Sequence, residues 1–81
     1  MIEDNRTWLT QEAFDRLSEE LGRRRTTVRK EIARRSELAR QEGDLRENAG
    51  YHAAREEAAL NETRIKVLEG MLENAEVGQA S

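Results

Sequence analysis

An all-α fold, an antiparallel two-helix coiled-coil hairpin with an acidic tip loop, is predicted by three observations. Charged residues make up 38% of an 81-residue chain that has no proline, a composition suited to long helices and a poor match to sheet. Two long runs with apolar residues at three- and four-residue spacing flank one short glycine-bounded segment, Gly43 to Gly50. With 36% apolar content, one Trp, one Tyr and one Phe, the chain is too poor in large apolar groups for a thick core and must be stabilised along a seam.

Residues 1–9 read as a leader. Thr10 is a good N-cap, and Leu9 before it is placed to pack on Phe14 as a hydrophobic staple. The first helix is therefore expected over 10–42, with inward positions at Phe14, Leu17, Leu21, Arg24, Val28, Glu31 or Ile32, Arg35, Leu38 and Ala39. Gly22 lies inside it and costs about 1 kcal/mol relative to alanine, so local softness is expected there. Gly43 is a natural stop just past the helix end.

The tip is expected over 43–50 and the second helix over 51–76, restarting somewhere between Leu45 and Tyr51. Its seam is regular: Ala54, Ala58, Asn61, Ile65, Leu68, Leu72 and Ala75. Folding the strip at the tip sets Leu68 and Leu72 beside Leu17 and Leu21, so large residues gather at the open end and alanines keep the tip narrow. Asn61 at a seam position is expected to fix register by hydrogen bonding. Residues 77–81 read as a polar tail.

Net charge is −3, unevenly placed. Arg23, Arg24, Arg25, Arg29, Lys30, Arg34 and Arg35 crowd one stretch against Glu31 alone, whereas acids dominate from Gly43 onward. Such asymmetry marks either a nucleic-acid contact or two arms of opposite charge that attract each other, and the second is the commoner arrangement on long helices. No apolar run approaches the ~18 residues needed to span a bilayer, and Met1 to Asn5 lack the pattern of a signal peptide. With no cysteine there is neither a disulfide framework nor a thiolate metal site, which agrees with a cytoplasmic location.

Conventional catalysis is excluded. There is no glycine-rich phosphate loop, no cysteine and a single histidine, so neither a nucleophilic triad nor a histidine-based zinc site can be assembled from one chain. His52 reads as a packing or hydrogen-bonding residue at the turn, and Tyr51 as support for it. What remains is Asp44 and Glu47, three apart, which share one face if helix resumes at about Leu45. Alone they hold magnesium poorly, because that ion prefers octahedral oxygen geometry completed by phosphates and water. Brought to a site with one magnesium and a nucleic-acid backbone, they complete a second metal's coordination and orient a water. Spacing alone favours a plainer role, capping the positive end of the second helix.

The order of residues from Gly43 through Asp44-Leu45-Arg46-Glu47-Asn48-Ala49-Gly50-Tyr51-His52-Ala53-Ala54-Arg55-Glu56-Glu57, then Asn61 to Ile65 and Leu72 to Val77, closely resembles the N-terminal coiled-coil domain of the bacterial transcript cleavage factors GreA and GreB. Trp8 to Glu12 and Leu17 to Leu21 resemble the start of that domain, and the likeness is nearer to GreA. The resemblance implies a non-enzymatic factor whose coiled coil enters the secondary channel of RNA polymerase and stimulates the polymerase's own cleavage at the 3′ end of backtracked RNA. Asp44 and Glu47 fall on the family's two tip acids, acting on a magnesium ion shared with the polymerase site and not bound by the factor alone. Asn48, Tyr51 and His52 match the supporting turn. Arg40 and Arg55 fall where the family carries basic residues facing the extruded RNA, and Arg46 matches a variable position that is often lysine or serine. The chain is expected to act as a monomer.

Two departures from the family are visible. Lys30 stands where the family commonly has a proline, and Arg24 and Ser36 stand at positions usually apolar, so a weaker or differently packed middle seam is expected. The FKBP-like domain that follows the coiled coil in the family is expected to be absent, as an excised domain or a shortened homologue. The alternatives are a channel-binding Gre homologue that inhibits polymerase, which the tip disfavours because such relatives are richer in aspartate there, and a structural coiled-coil oligomerisation module.

Overall fold

The computed structural model describes residues 6–44 and 46–78; the expectations for residues 1–5, for Leu45 and for 79–81 lie outside them. The order is strand β1 (Thr7–Thr10), helix α1 (Gln11–Arg23), a π-helical turn (Arg24–Val28), helix α2 (Arg29–Arg40), helix α3 (Ala49–Glu73) and strand β2 (Ala75–Gly78). α1, the π turn and α2 form one continuous first arm, and α3 is the second. Contacts that climb the first arm descend the second: Glu20 meets Arg64, Arg29 meets Glu62 and Arg35 meets Glu57. The result is a long helical hairpin with extents of 55 × 30 × 16 Å.

Thr10 caps the first arm, its Oγ1 accepting from the Ala13 amide at 3.1 Å. One cluster gathers the large residues at the open end: Leu21, Ile65 and the fully buried Leu68, flanked by Leu17 and Leu72. Burial of a side chain such as Leu68 contributes about 1.5–3 kcal/mol. Toward the tip the buried groups shrink to Ile32, Ala39 and Ala54. On the first arm the seam passes through Ser36, which is half-buried, and not through Arg35, Glu31 or Leu38, which are exposed. Arg35 instead reaches round the seam to Glu57 at 2.8 Å.

The middle of the seam is polar. Asn61 is 4% exposed; its Nδ2 donates to the Arg24 carbonyl at 3.1 Å and its Oδ1 accepts from Arg24 Nη1 at 3.0 Å. Asn61 thus bonds a carbonyl of the first arm's own ladder just where the π turn begins. Thr26 Oγ1 donates to the Gly22 carbonyl at 2.8 Å.

The fold is not all-α. β1 and β2 pair in parallel, with Thr7 opposite Ala75 and Thr10 opposite Gly78, so part of the expected leader and tail is a small sheet. Ala75, read as the last seam residue of a helix, lies in β2. Asn74 ends α3 early: its amide and its Nδ2 both bond the Gly70 carbonyl, at 3.2 and 3.0 Å, while its own carbonyl accepts from Thr7 at 2.9 Å. The hairpin brings its two ends together, and the β-prone Thr7-Trp8-Leu9 and Val77 pair once adjacent. Among the described residues no helix is long and apolar enough to cross a membrane.

Candidate functional site at the hairpin tip

The first arm stops at Arg40, and Gly43 follows with φ +127°, a backbone region that side chains with a Cβ rarely enter. Asp44 is exposed, and its Oδ1 accepts from the Arg46 amide at 2.9 Å, an Asx turn that fixes the carboxylate against its own loop. Glu47 is exposed in the same loop, and among the described residues nothing holds its carboxylate. Helix resumes only at Ala49, so the two acids belong to an irregular turn and do not share a helical face.

Asn48 is the reason. Its Oδ1 accepts from the Tyr51 amide at 3.0 Å, making it the N-cap of α3, and its Nδ2 donates to the Ala39 carbonyl at 2.5 Å. One side chain therefore satisfies an orphan amide of the second arm and gives a further donor to the Ala39 carbonyl of the first, which also accepts from the Glu42 amide at 3.1 Å. The capping role that spacing favoured for Asp44 and Glu47 belongs to Asn48, and α3 has no acid in its first turn. His52 Nε2 lies 3.2 Å from the Arg46 carbonyl, a contact that requires the proton on Nε2. The Tyr51 ring packs edge-on to His52 with centroids 5.8 Å apart, and the Arg55 guanidinium lies 6.0 Å from the Tyr51 centroid. Tyr51, His52 and Asn48 are thus all built into the turn.

With this geometry in view, a family described as "Transcription elongation factor, N-terminal", GreA and GreB, matches residues 7–77. The chain belongs to that family. It is similar to transcription elongation factor GreA of Streptomyces avermitilis, 53% identical over 95% of this chain and 47% of the relative. GreA of Mycolicibacterium smegmatis is 53% identical over 99% of this chain and 48% of the relative, and GreA of Mycobacterium tuberculosis is 51% identical over the same shares. The chain thus spans about half the length of the curated Gre relatives it matches.

Elsewhere on this Gre-family hairpin the cations divide into two groups. Arg25, Arg29 and Arg35 bond acids of α3, Glu69 at 2.5 Å, Glu62 at 2.6 Å and Glu57 at 2.8 Å, so much of the charge asymmetry is attraction between the arms. These bonds hold the Glu57 and Glu62 carboxyls below the usual carboxylate range and raise Arg29 and Arg35. At the base Glu20 accepts from Arg64 and from Arg24, at 2.9 and 2.7 Å, and these two hydrogen bonds lower its pKa from 4.5 to about 2. Solvent screens such exposed pairs, so each adds little to stability.

Arg40, Arg46 and Arg55 are exposed around the tip. Arg40 touches Glu37 only loosely, at 3.5 Å with both side chains more than half exposed. Among the described residues no three His, Asp or Glu side chains converge to hold a metal ion. Sequence reasoning missed the Ala39 carbonyl as the anchor of the tip, since a main-chain acceptor carries no side-chain signal.

Proposed function

We propose that this hairpin is an elongation-factor arm that enters the secondary channel of bacterial RNA polymerase and stimulates the polymerase's own cleavage of backtracked RNA. The chain itself is no enzyme. The observation that carries the reading is the pair of exposed carboxylates, Asp44 and Glu47, at the far end of a narrow rod whose turn is fixed by Asn48. Membership of the Gre family supports it, as do relatives whose name is transcription elongation factor GreA.

Two carboxylates with no third ligand among the described residues, one of them already engaged by the Arg46 amide, suit a magnesium ion shared with the polymerase and not a site of the arm's own. Such an ion, when bound, stabilises charge on an attacking water and on the scissile phosphate. Asp44 and Glu47 serve as its co-ligands and orient the water; Asn48, Tyr51 and His52 keep both acids in place. Arg40, Arg46 and Arg55 flank the tip as cations for the nascent RNA 3′ end or the channel wall. The arm acts in the cytoplasm and as a monomer.

The test is cleavage of end-labelled RNA in stalled, backtracked elongation complexes over a wide range of arm concentration, beside the Asp44→Asn, Glu47→Gln double variant. Stimulation by the parent and its loss, by a factor of about 100 or more, in the variant is the expected result. Equal stimulation by both proteins would remove the tip acids from the mechanism.

A further inference from the structure

Arg46 is exposed, yet both polar groups of its main chain are engaged, each by a different part of the tip. Its N–H donates to Asp44 Oδ1 at 2.9 Å, and its carbonyl accepts from His52 Nε2 at 3.2 Å. The Asp44 end is local to the loop. The His52 end is not: His52 is carried by α3, where its own amide donates to the Asn48 carbonyl at 3.1 Å and its ring packs edge-on to Tyr51. Because Asn48 caps α3 and also reaches the Ala39 carbonyl, the Nε2 donor comes from a turn tied to both arms. Between the two held groups the backbone has only the φ and ψ rotations of Arg46.

The carbonyl that His52 holds belongs to the same planar peptide unit as the Glu47 amide. Fixing that carbonyl fixes the plane from which Glu47 departs. Among the described residues nothing holds the Glu47 carboxylate, so its main chain is what places it, whereas Asp44 is held by its own oxygen. We infer that Arg46 is a positioning residue that works through its main chain, clamped between Asp44 and His52, and so sets where Glu47 stands relative to Asp44. The clamp rests on hydrogen bonds alone; its purpose rests on the function proposed above, since two carboxylates serve one octahedral magnesium ion only at a set separation. The Arg46 guanidinium takes no part in it and is left to meet a partner.

The test uses the 81-residue chain and its His52→Phe, His52→Gln and Arg46→Ala variants, with helicity checked by circular dichroism. Phenylalanine keeps a ring beside Tyr51 without the donor, and glutamine sets a donor nitrogen as many bonds from Cα as the histidine Nε2. The backbone order parameter of the Glu47 amide, from nitrogen-15 relaxation, is expected to be about 0.85 in the parent and in Arg46→Ala, to fall to about 0.6 or below in His52→Phe, and to recover in His52→Gln. Equal order in the parent and His52→Phe, or loss of order in Arg46→Ala, overturns the clamp. In backtracked elongation complexes His52→Phe should lower the cleavage rate at saturating arm by about two- to tenfold, the weight of one hydrogen bond. The half-saturating concentration should stay unchanged, and His52→Gln should restore the rate. A loss that glutamine does not restore, or a change in half-saturating concentration alone, overturns the positioning role. If the parent stimulates no cleavage, the functional reading fails while the relaxation data still decide the clamp.

Discussion

Asn48 and Ala39 join the two arms where the chain reverses. The Asn48 Nδ2 donates to the Ala39 carbonyl at 2.5 Å, while Oδ1 of the same side chain caps α3 through Tyr51. Ala39 is buried and Asn48 half-buried, so the bond is partly shielded from water. The loop between them carries Asp44 and Glu47, and its span is set by this one amide.

Asn48→Ala removes both bonds. We expect a loss of about 1–3 kcal/mol, combining a lost N-cap with a lost cross-arm hydrogen bond to a carbonyl that keeps its Glu42 donor, read from urea unfolding. Asn48→Asp keeps the cap and sets a carboxylate oxygen against the Ala39 carbonyl. An aspartate variant as stable as the parent would mean that the cross-arm bond contributes nothing.

Gly43 has φ +127°, so Gly43→Ala should destabilise the hairpin by about 1–3 kcal/mol although a Cβ there meets open space. Backbone strain is then the whole effect. Thermal melts of the two proteins measure it, and an unchanged midpoint would show that the turn adopts another conformation in solution.

Leu68 is fully buried in the cluster at the open end, and Leu68→Ala is expected to cost about 2–5 kcal/mol. For a thin two-helix rod this approaches the whole stability. Circular dichroism at 25 °C should show the helical signal largely lost, whereas truncation of the exposed Leu60 should leave it intact.

Acid should loosen the base of the hairpin. The Glu20 pKa is lowered to about 2 from 4.5, so the folded state binds this proton more weakly than the unfolded chain. Its stabilisation is present above about pH 4.5 and is lost as pH falls toward 2. Glu57 and Glu62 are shifted in the same direction. Melting temperature should therefore fall between pH 5 and 2, and Glu20→Gln should flatten part of that fall while lowering the midpoint at pH 7. A variant whose profile parallels that of the parent would take Glu20 out of the acid response.

The helical hairpin was legible because its signals are local and periodic. Thr10 announced the first cap, Gly43 the stop, and the spacing of Ala54, Ala58, Asn61, Ile65, Leu68 and Leu72 the buried face of α3; these six are buried or half-buried. On the first arm the periodicity was blurred by its cations, and Arg35 took an inward place that belongs to Ser36. A long arginine near a seam can either cross it or skirt it, and only the position of Glu57 on the other arm decides which.

At the tip, residue order alone picked out Asp44, Glu47, Asn48, Tyr51 and His52. That Asn48, not an acid, caps α3, and that helix waits until Ala49, depended on the Ala39 carbonyl arriving from the other arm. The sheet was hidden for the same reason. Thr7–Thr10 and Ala75–Gly78 are four residues each, too short to announce a strand, and neither has a partner until the hairpin closes. The sequence by itself determined which residues form helices and where the chain reverses, because backbone propensity and apolar spacing act over a few residues. Tertiary structure alone decided the tip clamp and the strand pairing, because each needs a hydrogen-bond partner that the folded hairpin brings within 3 Å or so.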